Sequence, residues 1–386
     1  MLSTIIIFIL VLSVLVFAHE LGHFVTAKRL GVRADEFGFG FPPRMVGFYK
    51  NKFGKWRKVF GKTTYEDLES STLEDAVPQS GSTIYSLNWL PIGGFVKIKG
   101  ENDNGDKEAD SFAAKKVWQR MLILSAGVIM NVVLAWFLFT VGYLIGMPQA
   151  TSDLSSSARV SNAMVAIIDV RADSPAEVAG LRAGDFIKAI NGQEVALEED
   201  MQAMISPLAG QEVTLLVDRE QTEMTIVVVP EEVSEGHGVI GVGIMAAGTV
   251  RYPLFSAIIE GAKTTGWMLK EIVLAFGNLI GNLVSGESVS QEFAGPVGIA
   301  NITGQATSLG FVYLLQFVAL LSLNLAIINI LPFPALDGGR ILFLLIEKVK
   351  GKPVKRDIEA VAHNIGFLLL IALIIFITYK DIIKLF

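Results

Sequence analysis

From Leu2 to Phe17 the chain is almost wholly Ile, Leu, Val and Phe, and before the apolar run ends at Ala27 it takes in His19, Glu20 and His23. A helix over about residues 3–27, rising ~1.5 Å per residue, is long enough to cross a ~30 Å hydrocarbon core. Ionisable groups at that depth are expensive and are retained where they serve a purpose. Helical positions i and i+4 lie about 40° apart around the axis, so His19 and His23 project from one face with Glu20 beside them. In His-Glu-x-x-His sites two neutral imidazoles bind zinc and the glutamate is general base for the attacking water. A bland alternative, polar residues satisfied at a helix end, fits such an apolar setting poorly.

The rest of the composition agrees with a membrane setting. Of 386 residues 52% are hydrophobic, and the mean hydropathy is +0.51, which suits an integral membrane protein carrying a polar insert. A net charge of -6, with no basic stripe interleaved with aromatics, argues against a nucleic-acid partner. The chain lacks cysteine, so metal ligands must be His, Asp or Glu. No Lys or Arg precedes the first apolar run and no small-residue cleavage site ends it, so it is expected to stay attached.

Basic residues crowd the next stretch, from Lys28, Arg29 and Arg33 to Arg57, Lys58 and Lys62. The positive-inside rule then turns this loop, and the histidine motif, toward the cytoplasm. Residues 33–100 alternate in short patches, such as Thr83-Ile84-Tyr85-Ser86-Leu87 and Gly94-Phe95-Val96-Lys97-Ile98-Lys99, which predicts strands and hairpins. Pro91-Ile92-Gly93-Gly94-Phe95 is apolar yet broken by glycine, and reads either as a hairpin dipping into the membrane or as a plain interfacial one. Residues 101–111 read as a solvated loop, and a second span is expected over about 117–146. It contains Asn131, read as a helix–helix hydrogen-bonding residue.

These parts make up a first membrane portion, residues 1–157. Residues 158–245 read as a soluble α+β domain outside the membrane. Strands are expected at Val165–Val170, Phe186–Ile190, Val213–Val217 and Met224–Val229, with a capped short helix from Ser174 to Gly180 and a second helix from Glu199 to Ser206. Ser174-Pro-Ala-Glu-Val-Ala-Gly-Leu-Arg-Ala-Gly-Asp-Phe-Ile, followed by Ile190-Asn-Gly-Gln-Glu-Val195, resembles the PDZ domains of bacterial proteases. PDZ domains add an extended peptide to a sheet edge, which implies a gate or substrate sensor; a spacer is the plainer reading. His237 reads as a turn residue.

The second membrane portion covers residues 246–386. Residues 253–284 read as one or two amphipathic helices on the membrane, because a span would bury Lys270 and Glu271. Residues 286–308 look like a polar link. A third span, about 309–331, ends in Asn329-Ile-Leu-Pro332-Phe-Pro334-Ala-Leu-Asp337-Gly-Gly339, where prolines and glycines break the helix and let Asn329 and Asp337 turn inward. A fourth span is expected at about 365–380.

A catalytic zinc needs a third protein ligand. Asp337, in the helix break on the cytoplasmic side, is the leading candidate, with His363 and Glu347 as competitors.

Together with Leu90-Pro-Ile-Gly-Gly-Phe-Val96 and Ala294-Gly-Pro-Val-Gly-Ile-Ala300, these motifs resemble the site-2 protease family over nearly the whole chain, and within it the bacterial regulator of sigma-E protease type. The resemblance implies an α-helical integral membrane protein with about four transmembrane helices, a membrane-associated β-hairpin region and one inserted PDZ domain. It implies a one-zinc intramembrane metalloprotease in the cytoplasmic membrane, cutting single-span proteins such as anti-sigma factors after a first external cut. His19, His23 and Asp337 would hold the metal and Glu20 would be the base. Asn329 would bind substrate or the developing oxyanion, and Gly93, Gly94, Phe95 and Val96, with Pro332 and Pro334, would contact the substrate strand. Enterobacterial relatives carry two tandem PDZ domains where this chain has room for one, and Val128 stands where many relatives have Pro. An inactive scaffold presenting a PDZ domain, or a metal transporter, are the rival classes; no repeated spans support the latter.

Overall fold

The computed structural model describes residues 2–101, 108–151, 154–219, 222–234, 237–286, 294–352 and 354–383. Most of the loop expected at 101–111 thus lies outside the described residues. The chain divides into two units, residues 1–139 with 261–386, and residues 140–260.

In the first unit, α1 (Leu2–Arg29) leads into β1 (Ala34–Lys50), β2 (Trp56–Val59), the short α2 (Tyr65–Glu69) and β3 (Ile84–Ile98). Then follow α3 (Val117–Ile145), which runs on into the second unit, and, starting in the last residues of that unit, α6 (Leu254–Ser285), then α7 (Pro296–Leu309), α8 (Phe311–Ile330), α9 (Asp337–Lys350) and α10 (Arg356–Ile383). The helices α1, α3, α8 and α10 are long and apolar enough to cross a membrane. No such length of uncharged chain occurs in α6, whose polar positions include Lys263, Lys270 and Glu271.

β1 and β3 are far longer than the short strands expected, and they meet twice. Phe37 pairs with Val96 on one side and Tyr85 on the other, while Phe48 pairs with Tyr85 again and with Lys58 of β2. Side chains directly opposite share a face. One face buries Tyr49, Val59 and Ile84 against Tyr65 and Leu68 of α2. The other turns Phe37 onto Phe24 of α1, the rings stacked with centroids 4.6 Å apart. The sheet lies along α1: Ser13 Oγ donates to Pro91 O at 2.6 Å and accepts from Gly93 N at 3.2 Å. Gly93 has φ +77°, and a Cβ there would come within 2.9 Å of Val16, so the strand passes close to the helix only because it has no side chain.

Two differences from the sequence expectation have physical reasons. Residues 296–309 form α7 instead of a link; its polar composition hid the helix, but Thr303 and Thr307 bond their hydroxyls to the carbonyls four residues back, Ile299 and Thr303. Its first turn is held from α10, where Asp381 accepts from Gly295 N and Gly298 N. The last helix begins at Arg356, nine residues before the expected span, because charged Asp357 and Glu359 suit its first turn.

In the second unit, β4 (Met147–Ala150), β5 (Arg159–Val170), α4 (Pro175–Val178), β6 (Phe186–Ile190), β7 (Gln193–Glu194), α5 (Glu198–Ile205), β8 (Val213–Arg219), β9 (Thr222–Val228), β10 (Glu231–Ser234), β11 (His237–Val239) and β12 (Val242–Arg251) succeed one another. The main sheet has the order β4-β12-β5-β6-β8-β9, with β7 paired to β6. Val165, Ile187, Ile190, Val213, Leu215 and Val217 are sealed in its core with Met201 of α5. Ser174 caps α4 by accepting from Glu177 N, with Pro175 at the first helical position. His237 lies on β11, its Nδ1 2.7 Å from Ser206 Oγ.

Candidate metal centre

His19 and His23 sit one turn apart on α1, both at least nine-tenths buried, and their Nε2 atoms are 3.1 Å apart. Asp337 is the first residue of α9. Its Oδ2 is 2.9 Å from His19 Nε2 and 3.4 Å from His23 Nε2. Among the described residues this is the single group of three or more His, Asp or Glu side chains close enough to share a metal ion. Four ligands around zinc at ~2.1 Å lie ~3.4 Å from one another in a tetrahedron. The triangle is thus of the right size and donor type for three zinc ligands, with the fourth position left for water or substrate.

Local structure delivers Asp337. α8 stops at Ile330 before Pro332 and Pro334, the chain turns through Ala335 at φ +80°, and α9 starts afresh. A Cβ on Gly338 would lie 2.2 Å from Ile330 O, and one on Gly339 2.3 Å from Phe333 O, so only glycine lets α9 begin against its own loop. From α10, His363 Nδ1 accepts from Ala335 N at 2.8 Å, and Gly366 lies against Pro334 O, where a Cβ would be 2.4 Å away. The competing ligand candidates are therefore engaged elsewhere: His363 braces the loop that presents Asp337, and Glu347 pairs with Arg120 at 2.5 Å.

The surroundings orient both imidazoles. His23 Nδ1 donates to Ile123 O at 2.8 Å, leaving Nε2 free to bind metal. The side-chain amide of Asn131, fully buried, meets His19 Nδ1 at 3.3 Å, while its Oδ1 has no partner among the described residues. When His19 Nε2 is a ligand, Nδ1 carries the proton; exchanging the two amide atoms of Asn131 then sets Oδ1 as its acceptor. Gly127 completes the wall, since a Cβ there would stand 2.4 Å from His23 Nε2 and 2.7 Å from His19 Nε2. Gly22 allows α1 and α3 this approach; a Cβ on it would be 2.2 Å from Ala126 O.

Glu20 is partly buried beside the pair, and its Oε2 accepts from Val96 N of β3 at 3.1 Å. The strand thereby reaches the carboxylate. Of the other expected substrate contacts, Gly93 is tied to Ser13, Gly94 packs by Phe17 and Phe95 and Val96 are half-buried. Asn329 is half-buried on the last turn of α8, Pro332 is exposed and Pro334 half-buried. Missing from the sequence reading were Ser13, Gly127 and the contact of Asn131 with His19.

A model of peptidase family M50 matches residues 7–60 and 76–373. The chain is 31% identical to the regulator of sigma-W protease RasP of Bacillus subtilis, over 100% of this chain and 99% of the relative. It is 33% identical to a putative zinc metalloprotease of Clostridium perfringens, with 97% of each chain covered. A PDZ domain of an SdrC-like protein from Listeria monocytogenes matches 22% of this chain and 92% of its own length, at 22% identity and a TM-score of 0.21.

Proposed function

For a chain that belongs to peptidase family M50, the site-2 proteases, and so is a zinc metalloprotease, we propose regulated intramembrane cleavage of single-span membrane proteins, anti-sigma factors among them, at His19, Glu20, His23 and Asp337. The observation that carries this reading is the triangle of two imidazole nitrogens and one carboxylate oxygen, at 2.9, 3.1 and 3.4 Å, in a wall of apolar helices.

One zinc ion, when bound, supplies Lewis acidity that polarises the scissile carbonyl and brings the pKa of the attacking water toward neutrality. His19, His23 and Asp337 hold it, with Asn131 and the Ile123 carbonyl fixing the ring tautomers. Glu20 takes the proton from the attacking water and returns it to the leaving amine. The Val96 N–H keeps its carboxylate oriented meanwhile. A transmembrane helix hides its carbonyls in hydrogen bonds, so the substrate has to unwind, and the β3 edge offers it strand pairing around Gly93 to Val96. Asn329 at the end of α8 donates to the substrate carbonyl, and Pro332 and Pro334 shape the opening.

The loop charges put this site toward the cytoplasmic side of the cytoplasmic membrane and the second unit, read as a PDZ domain binding a peptide or protein end, on the other. The first external cut on a substrate would be sensed there. The reading is tested by reconstituting the protein in liposomes with a single-span substrate. Cleavage that a zinc chelator stops and added zinc restores fits it; cleavage indifferent to the chelator contradicts it.

A further inference from the structure

The sheet face that α1 covers does not stop at the edge of α1. Across it the row Val96, Phe37, Tyr85, Phe48, Lys58 follows the strand pairing. Phe37 is buried under Phe24, but Tyr85 and Phe48 beyond it are 39% and 40% exposed. Residues two along on the same face continue the surface: Leu87 at 41% and Trp89 at 65% toward the strand tip, Trp56 at 57% and exposed Lys50 away from it. Trp56 and Tyr85 rings lie 6.3 Å apart, Lys50 Nζ stands 5.4 Å over the Trp56 ring, and Lys58 Nζ 6.0 Å over Phe48.

The face is graded along α1. Its tip is pinned at Ser13, and its Tyr85 level lies by Phe24, with ring centroids 6.0 Å apart. Eleven helical residues separate these levels, ~16 Å, or about half of a ~30 Å hydrocarbon core. Apolar Leu87 and Trp89 fall on the inner side of that level, and Lys50, Trp56 and Lys28 on the outer side. Aromatic rings beside lysines at that depth are the arrangement of a membrane interface.

Arg57 and Lys52 are paired, with Asp75 and Glu74. Lys50, Lys55, Lys58 and Lys62 are exposed and have no ion pair among the described residues. Lys50 and Lys58, set over the Trp56 and Phe48 rings with no such ion pair, call for anions from outside the chain.

We propose that the outer part of the β1–β2–β3 sheet, at Phe48, Lys50, Trp56 and Lys58 and at Phe60, which follows β2 and is 61% exposed, docks on the anionic phospholipid headgroups of the leaflet that the C-terminal end of α1 reaches. The rings sink to the acyl boundary and the lysines bind lipid phosphates. The inference rests on the reading of α1 as a spanning helix; it needs neither the metal nor the cleavage reaction. Docked, the sheet holds the β3 edge at a fixed depth beside Glu20.

The absence of cysteine makes single-site labelling direct. The full-length Phe60→Cys chain, carrying a polarity-sensitive fluorophore, is placed in nanodiscs of phosphatidylcholine alone or with on the order of 30% phosphatidylglycerol. Leu73→Cys, at a loop position 69% exposed, is the control. The proposal expects acrylamide quenching at position 60 to fall about threefold with the anionic lipid, an unchanged control, and reversal of the effect by Lys50→Glu with Lys58→Glu. Equal quenching in both lipids overturns it. So does a label already shielded in detergent, which would mean a protein surface covers the face. The lipid comparison stands without the charge variants should they fail to fold. Zinc binding or cleavage lost in these variants, with quenching as expected, would bear on the catalytic reading alone.

Discussion

Ile123, Gly127 and Asn131 recur every four residues on α3 and so form one stripe, and that stripe is what α1 brings its histidines against. The carbonyl of Ile123 cannot be altered by substitution, but the amide of Asn131 can. Asn131→Leu keeps the volume and removes the acceptor for His19 Nδ1. It is expected to weaken zinc binding about 10–100-fold in a chelator competition, with Asn131→Asp, which keeps an acceptor, binding better than Asn131→Leu. If both variants bind as the parent does, Asn131 does not orient His19. The His-Glu-x-x-His spacing was legible at this scale because two side chains on one helix obey a fixed geometry. The contact of Asn131 with His19 was not, because a polar residue inside a helix bundle looks the same whether its partner is a histidine or a neighbouring backbone.

Among the elements, the proposed third ligand, Asp337, depends on the break between α8 and α9 and on the brace from α10. Asp337→Ala should leave the purified protein without stoichiometric zinc, whereas His363→Ala should retain it, since His363 meets the loop at Ala335 N and lies outside the group of side chains close enough to share an ion. Metal analysis giving the opposite pair of results would exchange their roles. In the second unit, Asp185 is 1% exposed and is gripped by Arg219 at 2.7 Å through both oxygens and by Arg182 N at 2.9 Å. Burial pushes its carboxyl up, but the Arg219 bonds and the Arg182 N–H outweigh it and hold the carboxyl below the ordinary range. The stabilisation is therefore complete above the ordinary value of ~3.9 and is lost as pH falls through the lower folded value. Asp185→Asn should melt earlier than the parent at about pH 5, by a margin that shrinks toward about pH 3; a margin that grows in acid would contradict the sign. Strands and long apolar helices were legible here from period and length. α7 was hidden because its polar side chains bond to its own turns, and the long β1 and β3 were hidden because Pro42, Pro43, Pro91 and the glycines punctuate strands that run on through them.

Across the whole molecule, sequence pattern pointed to the membrane class and to the proposed metal motif together, because an apolar helix tolerates few explanations for a pair of histidines. What pattern could not give was distance between segments: Asp337 lies 318 positions from His19 and Val96 lies 76 from Glu20, and only the folded chain joins them. In the proposed chemistry the carboxylate touching Val96 moves the proton while the triangle holds the metal. The most direct measurement is zinc content and substrate cleavage for Glu20→Gln in liposomes, side by side with the parent. One zinc per chain is expected in both and cleavage in the parent alone; a zinc-loaded Glu20→Gln protein that cuts at the parent's rate would remove Glu20 from the proton transfer.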